Sequence, residues 1–308
     1  MLRTSTTVTQ AATESWHAAE RICRRHAKSF YFASYFLPKP KRRAAYAVYS
    51  FCRLLDDAVD TRPGREAEGI AEFERILDSV YLDELDHLPK DEPGLALRAF
   101  QATVREHDIP RVLFVELAEG CRMDLTISRY TTWRDLEVYC YHVAGVVGLM
   151  MSCIFGPIDE STREQAVTMG NAMQLTNILR DVKEDFDRGR IYLPAEDMER
   201  FHVSEADLAA GRTTREFIEL MQFEIARARS LYRSGAAGLC KLADDGSRTT
   251  AAAMAVIYSG ILCSIEAQQY DVFSRRAHLS MLQKLARVPL ARRLARRQDG
   301  APIPEVFC

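Results

Sequence analysis

A chain of 308 residues that is 47% hydrophobic can bury a large core, in one large domain or two smaller ones. A charged fraction of 27% and a formal net charge of −2 leave no electrostatic footprint for a nucleic-acid partner. The N-terminal MLRTSTTVTQ lacks the apolar centre of a signal peptide, and no apolar run is read as long enough to span a bilayer, so a cytoplasmic protein is expected.

Helical periodicity dominates, without Val/Ile/Thr alternation between hairpin turns. Residues 1–12 are polar and expected to be loose. A helix is expected over about 13–28, followed by the aromatic segment SFYFASYFLP with Pro38 and Pro40 as punctuation. The next helix carries AAYAVYSFCRLLDDAVD and stops before Arg62-Pro63-Gly64. Residues 66–82 read as an amphipathic surface helix, HLPKDEPG as a loop, and 95–106 and 112–125 as two more helices. Residues 133–155, with YCYHVAGVVGLMM, are small and apolar nearly all round, the mark of a buried, closely packed helix. An acidic-faced helix is expected over 161–185, and RGRIYLP leaves it in extended form. A short helix over 203–208 and long ones over 214–242 and 249–275 follow. From Met281 the chain reads as a basic tail holding Lys284, Arg287, Arg292, Arg293, Arg296 and Arg297. The pattern predicts an all-α fold, with a single helical domain over 13–280 between a loose segment, 1–12, and the tail, 281–308. The 8 cysteines are dispersed, without CxxC or zinc-type histidine spacing, and most read as small buried apolar residues rather than a disulfide framework.

Two acidic helical faces carry the chemistry. Asp56 and Asp60 lie four residues apart, as do Asp181 and Asp185, with Asn177 one turn earlier on the second face. A pair of this kind is ordinarily a solvated surface, but the flanks LLDDAVD and NILRDVKED are apolar, and buried carboxylates need partners. Hard carboxylate oxygens suit Mg²⁺, which in turn binds phosphate oxygens. Arg53, Lys28 and either Arg180 or Arg188 add donors to a diphosphate. A carbocation left by an ionised diphosphate needs a dry aromatic cavity. Phe30, Phe32, Tyr46, Tyr49, Tyr139, Tyr141 and Tyr258 are available for it, although plain core packing accounts for most of them. In HAKSF, Lys28 and Ser29 are placed to meet phosphate oxygens, against the simpler reading of a basic helix end. Gly145 and Gly148 read as close helix packing, with room for a long apolar chain as the alternative.

Taken together, HAKSF, FLPKPKR, YSFCRLLDDAVD, GCRMDL, YCYHVAGVVG, QLTNILRDVKEDFDRGRIYLP and IEAQQYDVF resemble the squalene/phytoene synthase family, the head-to-head prenyl diphosphate synthases, over most of the chain. The resemblance implies an isoprenoid synthase fold around a central cavity. It implies that Asp56, Asp60, Asp181 and Asp185, with Asn177, bind Mg²⁺ (Mn²⁺ as an alternative) and the diphosphates. His26, Lys28, Ser29, Arg53, Arg180 and Tyr258 match positions near the diphosphate or substrate, with Phe30 beside them. Tyr49, Tyr139, Gln174 and Tyr192 match cavity-side positions. One prenyl diphosphate would ionise and alkylate the second, giving a cyclopropylcarbinyl diphosphate. That intermediate would ionise again, rearrange and lose a proton to give a conjugated triene. The motifs look most like those of bacterial phytoene synthases, which join two geranylgeranyl diphosphates. Ser34, four residues after Phe30, would leave room for the longer chain if it faced the cavity. NADPH is not expected. Farnesyl diphosphate condensation to dehydrosqualene, presqualene diphosphate or squalene stays open. So do a chain-elongating prenyltransferase or terpene cyclase on the same fold and a non-enzymatic helical assembly factor, as does the oligomeric state. The basic tail is a candidate for peripheral contact with an anionic membrane.

Overall fold

Capping groups set where the helices begin. Thr132 with Asp135, Ser204 with Asp207 and Ser280 with Gln283 form capping boxes, and the Asp91, Asp159 and Thr214 side chains accept from first-turn backbone N–H groups. The computed structural model describes residues 2–60, 64–85, 91–156 and 159–307, and side chains from residue 13 onward except that of Asp60. In chain order the helices are α1 (Leu2–His26), α2 (Lys28–Ala33), α3 (Lys39–Asp60), α4 (Glu66–Leu82), α5 (Glu92–Glu106), α6 (Arg111–Thr126), α7 (Trp133–Cys140), α8 (Val146–Phe155), α9 (Glu160–Asp187), α10 (Ala195–Arg200), α11 (Glu205–Ala209), α12 (Arg215–Ala236), α13 (Ser247–Ala267) and α14 (Met281–Ala295). A π-turn, Tyr141–Gly145, joins α7 to α8 without a break. Among the described residues there is no strand, only an isolated bridge between Arg129 and Ile191. The fold is therefore all-α, as the periodicity predicts.

The long helix α9 is the central member, packed against α8, α12, α13 and the π-turn. Small residues let these backbones approach. A Cβ on Gly170 of α9 would lie 2.3 Å from the Ala144 carbonyl oxygen, and one on Gly148 would lie 2.4 Å from that of Ala166. Gly148 thus serves close helix packing. A second block of core lies between α3, α4, α5 and α6, where Phe51 stacks on Phe100 at 3.9 Å and meets Phe73 and Phe114.

Several segments differ from the sequence expectation. The first helix begins at Leu2 rather than near residue 13, since a formed helix adds residues at one hydrogen bond each. The basic segment is not a separate tail: α14 packs on α13, and beyond it Phe307 stacks on Tyr232 at 5.5 Å. Residues 133–155 and 247–267 are long and apolar enough to cross a membrane by length and composition, contrary to the expectation, but both are packed here as helices of the bundle. Among the described residues Cys23, Cys52, Cys121, Cys140, Cys153 and Cys240 are free thiols.

The buried Glu224 of α12 shares one cation with Asp197: Arg227 Nη1 lies 2.6 Å from Glu224 and 2.8 Å from Asp197, and its guanidinium stacks over Trp133. Burial pushes the Glu224 carboxyl up to about 8, Arg227 offsetting part of this and Asp197 adding to it. The unfolded carboxyl titrates at about 4.3. Between that value and the folded one the native state holds the extra proton, so stability falls as pH rises through the window. Glu224→Gln is expected to remove a slope of up to about 1.4 kcal/mol per pH unit, read from urea unfolding between pH 5 and 8. Replacing Gly170 by Ala should cost about 1–3 kcal/mol by the same measurement, because the Ala144 backbone cannot withdraw.

Candidate active site

On α3, Tyr49, Arg53, Asp56 and Asp60 recur at three- and four-residue intervals, and on α9 so do Gln174, Asn177, Asp181 and Asp185. Each set shares one helical face. A cavity of about 420 Å³ opens between the two helices. One end is polar, lined by His26, Tyr49, Asp56, Gln174, Asn177 and Tyr258, with the Asn177 amide donating to Gln174 at 3.3 Å. Phe30 also lines it, its ring 6.0 Å from that of Tyr49. The cavity then follows α9 back as far as Thr162, between Met151, Phe155, Met169, Leu242 and Met254, with the polar Ser152 and Gln165 also in its wall. Fifteen residues separate Thr162 from Asn177, about 22 Å of helix, so the chamber is long as well as mostly apolar.

Cationic and anionic groups neighbour Asp56 and Asn177 along α3 and α9, although among them only Asp56 lines the cavity. Arg53 bonds Asp57 at 2.5 Å and lies 4.0 Å from Asp56, while its buried Nε has no hydrogen-bond partner. Asp181 is gripped by two guanidinium groups, Arg180 at 2.5 and 2.8 Å and Arg276 at 2.7 and 2.9 Å. Burial opposes its charge, but the two arginines outweigh that and hold its carboxyl below the ordinary value. Its backbone leaves helical geometry (φ −106°, ψ 15°), kinking α9 at this residue. Asp185, one turn on, has no such grip. Burial, reinforced by the charge of Asp181, pushes it up to about 7 against the weaker pull of Arg188 and Arg190. Its carboxylate oxygens are hard donors of the kind a divalent ion takes. Among the described residues no three carboxylate, histidine or cysteine groups converge as a ready-made metal site. The Asp60 side chain lies outside the described residues.

Of the expected site residues with described side chains, His26, Phe30, Tyr49, Asp56, Gln174, Asn177 and Tyr258 line the cavity, whereas Arg53, Arg180, Asp181, Asp185, Lys28, Ser29, Tyr139 and Tyr192 do not. Tyr139 and Tyr192 belong to a neighbouring cluster with Tyr130, where their hydroxyls donate to Asp124 at 3.1 and 2.7 Å. Arg190 closes this cluster, donating to the Asp124 carbonyl at 3.2 Å, and it shares a small pocket with Asp185 and Tyr192. Lys28 is exposed and Ser29 half-buried, neither lining the cavity. Ser34 does not face the cavity either: it is fully buried and bonds the Tyr46 hydroxyl and the Tyr31 carbonyl, each at 2.7 Å. It therefore leaves no room for a longer chain. Asp124, Arg190 and Arg276 are the residues that motif reading missed. Asp124 stood inside GCRMDL without an assigned role, and Arg276 lies in a connection with no periodic signal.

The fold and site define a helical enzyme of the isoprenoid synthase type. A squalene/phytoene synthase family profile matches residues 23–283, and the chain belongs to that family. It is 40% identical over 290 residues to a phytoene synthase from Thermus thermophilus, covering 93% of this chain and 96% of that one. It is 38% identical over 293 residues to a 15-cis-phytoene synthase from Synechocystis, covering 90% and 84%. Among solved structures, a dehydrosqualene synthase in complex with a ligand superposes with a TM-score of 0.83 at 32% identity, covering 92% of this chain and 97% of the other. A squalene synthase from Alicyclobacillus acidocaldarius gives 0.75 at 28%, covering 85% and 99%.

Asp124→Ala would strip two buried phenols of their acceptor, at about 1–3 kcal/mol for each unsatisfied group. The expected outcome is a lowered unfolding midpoint. Tyr192→Phe in the same background should restore part of the loss, since it removes one of the orphaned donors.

Proposed function

We propose that the chain is a prenyltransferase that condenses two prenyl diphosphates head to head, taking two geranylgeranyl diphosphates through a cyclopropylcarbinyl diphosphate to phytoene. The observation that carries this reading is one continuous cavity that takes in Asp56, Gln174 and Asn177 and runs on along α9 between mostly apolar side chains, with Ser152, Thr162 and Gln165 among them. A diphosphate belongs beside Asp56 and Asn177 and its hydrocarbon chain along α9. Asp56, Asp181 and Asp185, with Asn177, would hold a divalent cation, Mg²⁺ or alternatively Mn²⁺, and Asp60 shares the α3 face. Bound there, such an ion supplies Lewis-acid neutralisation of diphosphate charge. The protein's own groups do the rest. Arg53, bonded to Asp57 and 4.0 Å from Asp56, holds positive charge beside the acidic face of α3. Arg180 and Arg276 already stand at the acidic end and can turn from Asp181 to a more highly charged partner. The rings of Tyr49 and Phe30 present π faces to a developing carbocation, each worth about 0.5–2 kcal/mol. The methionine- and leucine-lined remainder keeps water from quenching it. No reductant enters this scheme, so NADPH is not required. A cytoplasmic location accompanies this reading.

Incubation with either geranylgeranyl or farnesyl diphosphate and Mg²⁺, with and without NADPH, tests it. Phytoene from the C20 substrate without NADPH is expected. Product from farnesyl diphosphate alone would refute the assignment. Asp56→Ala and Asn177→Ala should each lower turnover by about a hundredfold or more while leaving the unfolding midpoint near that of the parent.

A further inference from the structure

The inner end of the chamber is built from residues that play no part in the diphosphate chemistry. Gly170 packed on Ala144 and Gly148 packed on Ala166 set α8 antiparallel to α9. The cavity stops where α8 ends, at Phe155, and where α9 begins, near Thr162, and Leu242 completes that wall. The Ala243 N–H donates to the Phe155 carbonyl at 3.3 Å, which joins the segment of Leu242 to the end of α8. Behind the wall stands Lys41 of α3, a residue of FLPKPKR to which the proposed reaction gives no role. Its ammonium donates to the Phe155 carbonyl at 3.1 Å and to the buried Ser247 hydroxyl at 3.2 Å, and it pairs with Asp245 at 2.9 Å. One nitrogen therefore holds α3, the end of α8 and the turn that leads into α13. The last carbonyls of a helix have no donor within it, and a lysine from another element supplies one here. The same turn is pressed from its other side, since a Cβ on Gly246 would overlap the Phe36 carbonyl oxygen.

The wall stands at a definite depth, about 22 Å along α9 from Asn177 to Thr162. An extended prenyl chain advances about 4.8 Å per isoprene unit, four backbone bonds at about 1.2 Å each. Four units span about 19 Å and fit, whereas five span about 24 Å and do not. Three units span about 14 Å and stop more than a helical turn short of the wall. We propose that Lys41 is a positioning residue for chain length: by pinning the wall of Phe155 and Leu242 it fixes the chamber at the depth of four isoprene units. Without the ammonium, the Phe155 carbonyl loses a donor and Asp245 loses its cation, and the end of α8 is free to move away from the chamber. The inference rests on the prenyltransferase reading and deepens it, since it names the part of the protein that measures the substrate.

The test is calorimetric titration of the full chain, with Mg²⁺, using the C15, C20 and C25 prenyl S-thiolodiphosphates, whose carbon–sulfur bond resists ionisation. The parent is expected to bind the C20 analogue about tenfold or more tightly than the C25 one. That preference should fall about tenfold in Lys41→Met, and likewise in Leu242→Ala, which opens the wall with Lys41 in place. Lys41→Arg, which keeps a donor and the charge, should restore most of it. Affinity for the C15 analogue, too short to reach the wall, should stay at the parent value in every variant, whereas general loosening of the bundle would lower all three. Should Lys41→Met not fold, Asp245→Asn weakens the same junction, and a partial loss of the preference is expected. Equal binding of C20 and C25 by the parent, or a parental preference kept in Leu242→Ala or in the Lys41 or Asp245 variant, would overturn the proposal. Because binding is read without turnover, a chain that shows the length preference yet makes no phytoene refutes the condensation and leaves the wall standing. One that makes phytoene without the preference does the reverse.

Discussion

A carboxylate removed from water must meet a cation, and the architecture around α9 is arranged by that requirement. Asp181 is 14% exposed and meets it with two arginines, one from its own helix and one from the connection between α13 and α14. Asp185 is partly buried and does not meet it, so its proton affinity rises. The contrast between neighbours one turn apart separates a carboxylate whose charge is paired within the protein from one that holds its proton more tightly. Arg276 also ties a distant part of the chain to the acidic end.

The apolar part of the site depends on a different constraint. A long chamber in a helical bundle needs walls that are close to each other yet do not fill the space between. Gly148 and Gly170 let α8, the π-turn and α9 touch through backbone rather than side chain. Gly235 does the same for α12, where an added Cβ would lie 2.8 Å from the Met169 nitrogen. The side chains that do project inward are flexible methionines, which adapt to irregular apolar surfaces. Beside the chamber, the tyrosines around Asp124 form a rigid polar block that supports the far side of the Asp185 turn.

Much of this was legible from residue spacing. Asn177, Asp181 and Asp185 recur at helical intervals, as do Asp56 and Asp60, so both acidic faces could be placed before the fold was known; the buried setting that the apolar flanks suggest holds for Asp181, whereas the Asp56 side chain is 56% exposed. The start of α4 and the end of the 133–155 helix were equally plain, because Arg62-Pro63-Gly64 precedes the one and Gly156-Pro157 follows the other. Other features were hidden for physical reasons. Tyr139 and Tyr192 share the composition of cavity aromatics, and only the position of Asp124 on α6 shows that their hydroxyls turn elsewhere. Ser34 was ambiguous in the same way, since its orientation depends on Tyr46, twelve residues away. Helix α14 contains Pro289 and alternates arginine with leucine so densely that it reads as a solvated tail, and packing on α13 is what reveals its two faces. Arg276 has no local signal, because its role is defined entirely by a residue 95 positions earlier.

The π-turn at Tyr141–Gly145 works as a register device. It accommodates one residue more than regular α-helix would, and one residue corresponds to about 100° of rotation. Upstream of it Tyr139 faces the Asp124 cluster, while from Val143 onward the helix shows Val147, Gly148 and Met151 to the chamber. Removing a single residue from this turn would leave a helix with better hydrogen bonding than the native one. It would also swing the whole of α8 by more than a quarter turn, taking Gly148 away from Ala166 and putting bulk where two backbones now meet. At this point in the chain, length is under tighter constraint than composition.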